Sequence, residues 1–599
     1  MSKKDKKIDK IKELYQEQAF SQVIIEGQEL LEKEKNRSAK RVLYNYIGLA
    51  LLEMDDHDQA IENLRKARSH LSIKDFYSPL IEYYEKRKQW SNLVKCFEDI
   101  LKYYPDDTIT LESLAKLYMM MGNDTKAMYY LTNTQNWGML AHFCRSLVFW
   151  DNLDKIDELF VTYLRDNMLE NDNIALLWYS IMIPKISQLD SYNLIRKTVL
   201  TGLEHFNLIN IQPMIEGFER KEPRVSAAKL RIGYLSSDFY DHATMLLLAR
   251  VLELHNRNNF DIHLFIVNKK MNDSYGKRIE NMAAHKHYLY QKENNEIAEL
   301  INEQNIDILI DLKGFTKNTA SYVSAYRPAP IIVNWLGFPT TMGLERMADY
   351  IITDKIVTPA EQAQFFSETL AYMPNCYQPN DNSIEYSSSI TRKDVGLPHE
   401  AIVFCSFNSI LKLNPQQFDF WCRLLQNVEN SVLWILRPSN KMAIKNLLKE
   451  AEKRDIDTLR IIFAEKVPII EHRKRLHLAD IGLDSFPCTS HTTASDLMAA
   501  GVPLVAQIGN TFWSRVSASV LTANNCSQLV AYNIEQAYNI AYTLATNKDL
   551  LAAVKVEIAN NLKTAPLYNS ELFTKNLERI YNKMWEQYQT GKKEIISLD

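Results

Sequence analysis

The stretch "LADIGLDSFPCTSHTTASDLMAAGVPLVAQIG", residues 478–509, reads as a strand, a polar loop, a short helix and a second strand. The apolar run at 480–485 gives way to Cys, Thr, Ser, His, Thr and Thr in succession. An Ala-rich helix begins near Thr492, "AAGVP" ends it, and strand texture resumes at 503–508. Two strands joined by a helix are a βαβ unit, which belongs to a parallel sheet with helices on its faces. Such a loop is poor core material. Its hydroxyls, the free N–H groups of the helix start and the positive end of the helix dipole together suit a diphosphate. Asp496, one turn into the helix, is placed to accept hydrogen bonds from a ribose. An N-cap cluster that serves the helix alone is the plain alternative.

The same texture extends in both directions. Short apolar runs at 401–408, 431–437 and 459–464 precede the quoted unit, and a separate series lies at 230–239, 261–268, 306–315, 330–338 and 348–354. A Pro/Asn/Ser-rich stretch, "MPNCYQPNDNSIEYSSSITRKD", separates the two series. Two doubly wound units in tandem leave a cleft between the C-terminal ends of their strands, where such folds bind ligands. The closing stretch, "FTKNLERIYNKMWEQYQTGKKE", has the pattern of an amphipathic helix.

Upstream of Leu230 the pattern is helical and repetitive. In "VLYNYIGLALLEMDDHDQAIENLRKA", Tyr44, Ile47, Gly48, Leu51, Ala60, Leu64 and Ala67 follow the spacing of the tetratricopeptide (TPR) hairpin. Leu93, Phe97 and Pro105 repeat that register, as do Ala127 and Leu131, with intervals of 33 and 34 residues between the equivalent positions 60, 93 and 127. "AFSQVIIEGQELLEKE" is a weaker leading unit. Hairpins of this kind stack into a superhelix whose groove receives an extended peptide, or they merely support the rest of the chain. Residues 135–220 continue as helices without a clear repeat and run into a charged linker, "EGFERKEPRVSAAK".

Composition narrows the function. The chain has 599 residues, a net charge of −4 and a sequence pI near 6.4, so no cationic field draws it to nucleic acid or to an acidic membrane surface. The N-terminus "MSKKDKKIDKIKELYQ" lacks the apolar core of a signal peptide, and no run of about 18 apolar residues appears, so no membrane insertion and a cytoplasmic location are expected. Seven scattered cysteines form no CxxC, which argues against a disulfide framework or a zinc site. No GxGxxG is present, so an ordinary NAD or FAD enzyme is not indicated.

Further candidates sit at strand ends. Lys412, in "FNSILKLNP", follows strand 401–408 and is placed to meet the same phosphates. His472, ahead of the strand that leads to the polar loop, is placed to flank a nucleotide base. His242, in "SSDFYDHATM", follows the first strand of the other series and titrates near neutrality, as a general base or an acceptor-orienting group does. "DLKGFTK" adds Gly314, Thr316 and Lys317 at a further strand end.

These residues lie in segments that closely resemble the catalytic half of protein O-GlcNAc transferases. The resemblance rests on "RIGYLSSDFYDHATM", "LKGFTKNTASYVSAYRPAPIIVNWLGFPTTMG", "DYIITDKIVTP", "VFCSFNSILKLNP", "SVLWILRPS", the quoted stretch extended through "NTFWSRVSASVL", and "IYNKMWEQY", in order over about residues 230–590. In that family TPR repeats precede the catalytic region. The resemblance implies a GT-B fold of two Rossmann-like lobes and a UDP-sugar held mainly by the second lobe. It further implies no catalytic metal or other cofactor, and inverting transfer to Ser or Thr of a protein. Residue by residue, His491, Thr492, Thr493 and Asp496 match the donor-binding segment. Lys412 matches the lysine that neutralises the leaving diphosphate, His472 the histidine near the uracil, and His242 the active-site histidine whose role is disputed. Gly314, Thr316, Pro339 and Thr340 are candidate acceptor or sugar contacts.

The sequence also departs from the family pattern. Ser409 stands where the animal enzymes have glutamine, Ile469 where they have a nucleoside-contacting lysine, with Lys466 nearby, and Asn375 where they have a histidine. "FPTTMG" replaces a more glycine-rich turn, and the large insertion between the lobes of animal enzymes is missing, as in bacterial forms. The expected organisation is TPR-like repeats at 1–134, a helical extension and linker at 135–228, a first lobe at 229–375, a linker at 376–394 and a second lobe with the terminal helix at 395–599. The expected activity is transfer of N-acetylglucosamine from UDP-GlcNAc to protein acceptors recruited by the TPR groove. Alternatives are UDP-glucose to Asn, GDP-fucose to Ser/Thr, or an inactive scaffold. A partner subunit or homo-oligomer is left open.

Overall fold

The computed structural model describes residues 5–68, 72–134, 136–166, 175–215, 229–384 and 389–598. The linker expected before Leu230 falls at 216–228, outside the described residues, as do residues 385–388 of the linker between the lobes. The chain divides into two units, Met1–Asn136 and Trp137–Asp599.

The first unit is a series of helical hairpins: Asp5–Gln16 with Phe20–Lys33, Arg37–Glu53 with His57–Ala67, Ile73–Lys86 with Trp90–Tyr103, and Thr108–Met120 with Asp124–Thr132. The second helices of the last three hairpins start 33 and 34 residues apart, as the sequence periodicity requires. Side chains of Asn36, Asp56, Ser72, Asp107 and Asn123 accept hydrogen bonds from the first free N–H groups of their helices. Within each hairpin the two helices touch closely. A Cβ at Gly48 would lie 2.6 Å from Leu64 Cγ and 3.1 Å from the Ala60 carbonyl oxygen, so this repeat position admits only glycine without displacement.

The second unit opens with the helices Trp137–Ser146, Leu153–Arg165, Ala175–Ser180 and Gln188–His205. They are followed by strands β1 (Leu230–Ser236), β2 (Phe260–Ile266), β3 (His285–Tyr288), β4 (Ile308–Asp311), β5 (Ile331–Asn334), β6 (Tyr350–Asp354) and β7 (Thr369–Met373). Then come β8 (Ile402–Ser406), β9 (Ser431–Leu436), β10 (Ile461–Ala464), β11 (Ile481–Leu483), β12 (Leu504–Gln507), β13 (Val530–Ala531) and β14 (Ile596–Ser597). One sheet has the order β14-β7-β6-β5-β4-β1-β2-β3 and the other β10-β9-β8-β11-β12-β13, with parallel pairing throughout. In each sheet the strand order reverses beside its first strand, between β1 and β4 and between β8 and β11. That reversal is the doubly wound, Rossmann-like arrangement. β4, β5 and β6 are buried along their whole length, as expected for strands covered on both faces.

Three features differ from the sequence expectation. β3, β13 and β14 are short edge elements of two to four residues, too brief for a periodic signal to mark them. The helical extension belongs to the same unit as the two lobes and bridges them. The buried Gln188 side chain donates to Thr340 Oγ1 of the first lobe (3.4 Å) and accepts from the Phe512 N–H of the second (3.1 Å). Asn446 donates to the Leu147 carbonyl (2.8 Å), and Trp178 Nε1 to that of Phe315 (3.1 Å). Finally, the terminal helix Ser570–Thr590, grouped by chain order with the second lobe, crosses back onto the first sheet, and β14 joins that sheet's edge.

The crossing is held by a buried polar chain inside an apolar contact. Tyr581 OH lies 3.0 Å from Tyr234 OH, which lies 2.8 Å from His255 Nε2, and His255 Nδ1 lies 3.0 Å from Glu578. Tyr350 OH donates to Gln587 (2.7 Å), and the rings of Trp335 and Phe573 stack. Tyr581 is fully buried. Tyr581→Ala therefore removes a large aromatic and leaves Tyr234 OH one partner short, at an expected cost of about 3–5 kcal/mol. Urea unfolding followed by tryptophan fluorescence measures this, and a midpoint within error of the parent would show that the helix is not held at this contact.

Candidate functional site

The loop after β11 is organised by one buried carboxylate. Asp484 Oδ1 accepts from the N–H groups of Ser485 and Ser490 (2.8 Å each) and from Ser490 Oγ (2.6 Å). Ser485 Oγ donates to the Cys488 carbonyl, while Thr489 donates through both N–H and Oγ1 to that of Trp513. Thr489 and Ser490 are fully buried, so their hydroxyls build the loop rather than face a ligand. Ser495 is likewise occupied, by Gln378 and Tyr568. What remains open is the start of the helix Thr492–Ala499. The N–H groups of Thr492 and Thr493 have no hydrogen-bond partner among the described residues, and both side chains are half-buried.

Lys412 ends a short turn, Ile410–Lys412, beyond β8 and reaches the same loop. Its Nζ lies 2.8 Å from the Thr489 carbonyl oxygen and 3.3 Å from Asn408 Oδ1, and Asn408 Nδ2 in turn donates to Ser490 Oγ (2.7 Å). Lys412 forms no ion pair among the described residues. Its charge is instead felt by His491, whose Nε2 is buried without a partner. Burial, then Lys412, push His491 down to about 3, with the Trp513 backbone opposing. β8 and β11 flank the strand-order reversal, so Lys412 and the helix start meet at the position where doubly wound sheets bind ligands. A positive side chain and free N–H groups there form a site for an anion.

His472 and Asp496 complete this side differently from each other. His472 packs edge-on against Phe407, with ring centroids 4.9 Å apart, and its Nδ1 accepts from Arg475 (3.1 Å). Burial, followed by Arg475 and Arg473, lowers it to about 4, so it is neutral at pH 7. Asp496, read from the sequence as an acceptor for a ribose, is buried and paired through Oδ1 with Arg473 (2.7 Å). Arg473 lies in a run of basic residues that the sequence does not single out.

Across the cleft, β1 and β4 end at the first sheet's own reversal. His242 is the N-cap of the helix Ala243–Leu254, and its Nδ1 accepts the Thr244 N–H (3.2 Å). A neutral His242 in this geometry therefore carries its proton on Nε2. Burial lowers its pKa, opposed by Asp238, whose Oδ2 is 3.5 Å away, and assisted by Lys313. Lys313 and Asp238 form a buried pair at 2.6 Å, which the sequence reading omits although both lie inside the motifs it quotes. Gly314 has φ +53°, and a Cβ there would lie 2.3 Å from Phe338 Cβ, so glycine is required. Thr316 Oγ1 is buried and unpartnered, whereas Lys317 is exposed. Pro339 and Thr340 do not join these groups. Both are buried against the helical extension, with Thr340 held by Gln188, because the "FPTTMG" turn folds beneath Trp178 and Ile195.

Two Rossmann-like lobes with an anion site at the reversal of the second define the GT-B class of fold. The chain belongs to glycosyl transferase family 41, whose model matches residues 194–387 and 381–577. It is 34% identical over 373 residues to the probable UDP-N-acetylglucosamine–peptide N-acetylglucosaminyltransferase SEC of Arabidopsis thaliana, covering 61% of this chain and 38% of that one. It is 27% identical over 478 residues to the UDP-N-acetylglucosamine–peptide N-acetylglucosaminyltransferase of Caenorhabditis elegans, covering 61% and 41%. The matches thus span about two fifths of the length of these curated relatives. Among solved structures, a mutant of the Thermobaculum terrenum O-GlcNAc transferase superposes with a TM-score of 0.65 at 20% identity, covering 85% of this chain and 96% of that one. No helix among the described residues is long and apolar enough to cross a membrane.

The buried histidines give the fold a defined acid response. His472 at about 4 and His491 at about 3 stay neutral in the folded chain, while in the unfolded chain they bind protons near 6.5. Below that value the unfolded state takes up protons that the folded state refuses, so their share of stability is full above pH 6.5 and falls as the pH drops toward 4. Replacing His472 by Gln removes one such group, and the urea midpoint of the variant falls less steeply than the parent's between pH 6.5 and 4. Parallel slopes would show that His472 is accessible to protons in the folded protein.

Proposed function

We propose that the chain is an inverting glycosyltransferase that moves N-acetylglucosamine from UDP-GlcNAc to Ser or Thr of protein acceptors, without a catalytic metal, in the cytoplasm. The observation that carries this reading is the position of the Lys412 ammonium, 2.8 Å from the Thr489 carbonyl, beside the open start of the helix Thr492–Ala499. A nucleoside diphosphate leaving group gains charge as its bond to the sugar breaks, and a preorganised ammonium and N–H pair stabilise that charge most in the transition state. His472, neutral and packed on Phe407, flanks the base, and Thr492 and Thr493 receive the diphosphate. An acceptor hydroxyl then attacks the anomeric carbon from the face opposite the diphosphate; the new C–O bond forms as the sugar–phosphate C–O bond breaks, the electron pair leaves with the diphosphate, and the hydroxyl proton passes to a diphosphate oxygen. His242 orients that hydroxyl through Nε2. The helical repeats recruit the acceptor polypeptide. The names of the relatives and family 41 membership support the donor and acceptor class.

Calorimetric titration with UDP, UDP-GlcNAc, UDP-glucose and GDP-fucose, with and without EDTA, tests the reading directly. EDTA-insensitive binding of UDP with preference for UDP-GlcNAc is expected, and binding to none of the four would leave a scaffold. Lys412→Ala is expected to lower turnover about 10²–10³-fold with a smaller loss of UDP affinity; equal losses would make Lys412 a ground-state ligand only. His242→Ala is expected to abolish transfer with UDP affinity nearly intact, and a large loss of affinity would move His242 to the donor side.

A further inference from the structure

We propose that Asp261, His263 and His285 form a binding site for a divalent transition-metal ion of the Zn²⁺ type on the outer edge of the first sheet, apart from the transfer cleft. β2 and β3 run parallel with His263 opposite His285 and Phe265 opposite His287. Strand alternation places Asp261 and His263 on one face, together with His285 and His287 of the neighbouring strand. One donor atom from each of Asp261, His263 and His285 lies within 4.8 Å of the other two. The imidazoles of His263 and His285 are stacked at 4.3 Å.

The three side chains stand at distances that a bound ion accommodates. His263 Nε2 is 3.4 Å from Asp261 Oδ2, and His285 Nε2 is 3.3 Å from Asp261 Oδ1. The His263–Asp261 contact is a long hydrogen bond, since charge-assisted ones are about 2.7–2.9 Å. Ligands around a tetrahedral Zn²⁺, with bonds of about 2.0–2.1 Å, stand about 3.3–3.4 Å from one another. Each imidazole already stands at that separation from one oxygen of the Asp261 carboxylate, and the three donor atoms lie within 4.8 Å of one another. Beyond them, His263 Nδ1 lies 3.3 Å from His287 Nε2. With Nε2 of His263 on the ion, its Nδ1 proton is donated to His287, which is the outer-sphere partner that ligating imidazoles require. His263 is buried while Asp261 and His285 are partly exposed, so the ion has a route in and water has a fourth position. The ion would clip the four-residue edge strand β3 to β2.

The test uses the full chain stripped with EDTA, then titrated with Zn²⁺ in competition with a chromophoric chelator, and with Co²⁺ as a spectroscopic probe. One ion per chain and an intense tetrahedral Co²⁺ spectrum are expected. His285→Ala and Asp261→Asn, at partly exposed positions that keep the fold by circular dichroism, are each expected to weaken binding at least about tenfold, and His287→Ala to weaken it through the outer sphere by about tenfold. No stoichiometric binding, or Zn²⁺ held equally well by His285→Ala, would overturn the assignment.

Discussion

The reversal of strand order in each parallel sheet is the constraint on which the rest of the second unit depends. Where β1 gives way to β4, and β8 to β11, the crossover connections leave toward opposite sides, and the strand ends between them cannot be covered by their own loops. The groups proposed to meet the diphosphate and the acceptor sit at these two openings, while His472 follows the edge strand β10. His242, Lys313 and Gly314 follow β1 and β4; Lys412 and the Thr492 helix start follow β8 and β11. Chemistry is concentrated there because elsewhere the strands are buried on both faces and admit little that is polar.

Satisfying buried polar groups then decides which residues of a polar loop remain available. Asp484 consumes Ser490, Trp513 consumes Thr489, and Gln378 with Tyr568 consumes Ser495. Each of these bonds spares a buried group a desolvation cost of about 1–3 kcal/mol. The residue of that process is a helix start with unpaired donors next to an ammonium. The same logic explains the buried His491 and His472. Burial first, and neighbouring cationic side chains second, lower both, so they stay neutral and shape the pocket without adding charge to it.

The lobes are joined by elements distant in sequence. Gln188 of the extension hydrogen-bonds to both lobes, Ser519 donates to Asp354 (2.7 Å), and Arg515 donates to the Ile356 carbonyl (2.6 Å). The terminal helix closes the connection by returning to β1, β5 and β6 through Tyr581, Phe573 and Gln587. A cleft between two lobes tied in this way keeps its two halves in register, which the proposed transfer from a donor on one to an acceptor on the other demands.

The sequence by itself determined the elements whose signals are local. The 33–34-residue repeat marked the hairpins, since each must bury one face against the next, and strand texture marked β1, β2, β4, β5, β6 and β8 to β12 through apolar runs broken by turns. Lys412, His472 and His491 were picked out because each lies in a short segment that resembles the family pattern. Only the tertiary structure decided the rest. Pairing of Asp496 with Arg473, burial of Thr340 under Gln188, the Asp238–Lys313 pair, the return of the terminal helix and the Asp261/His263/His285 cluster all join residues from separate segments. A local pattern constrains dihedral angles and which face is apolar. Whether a polar side chain is spent inside the protein or left for a ligand depends on which distant group the packed chain brings beside it.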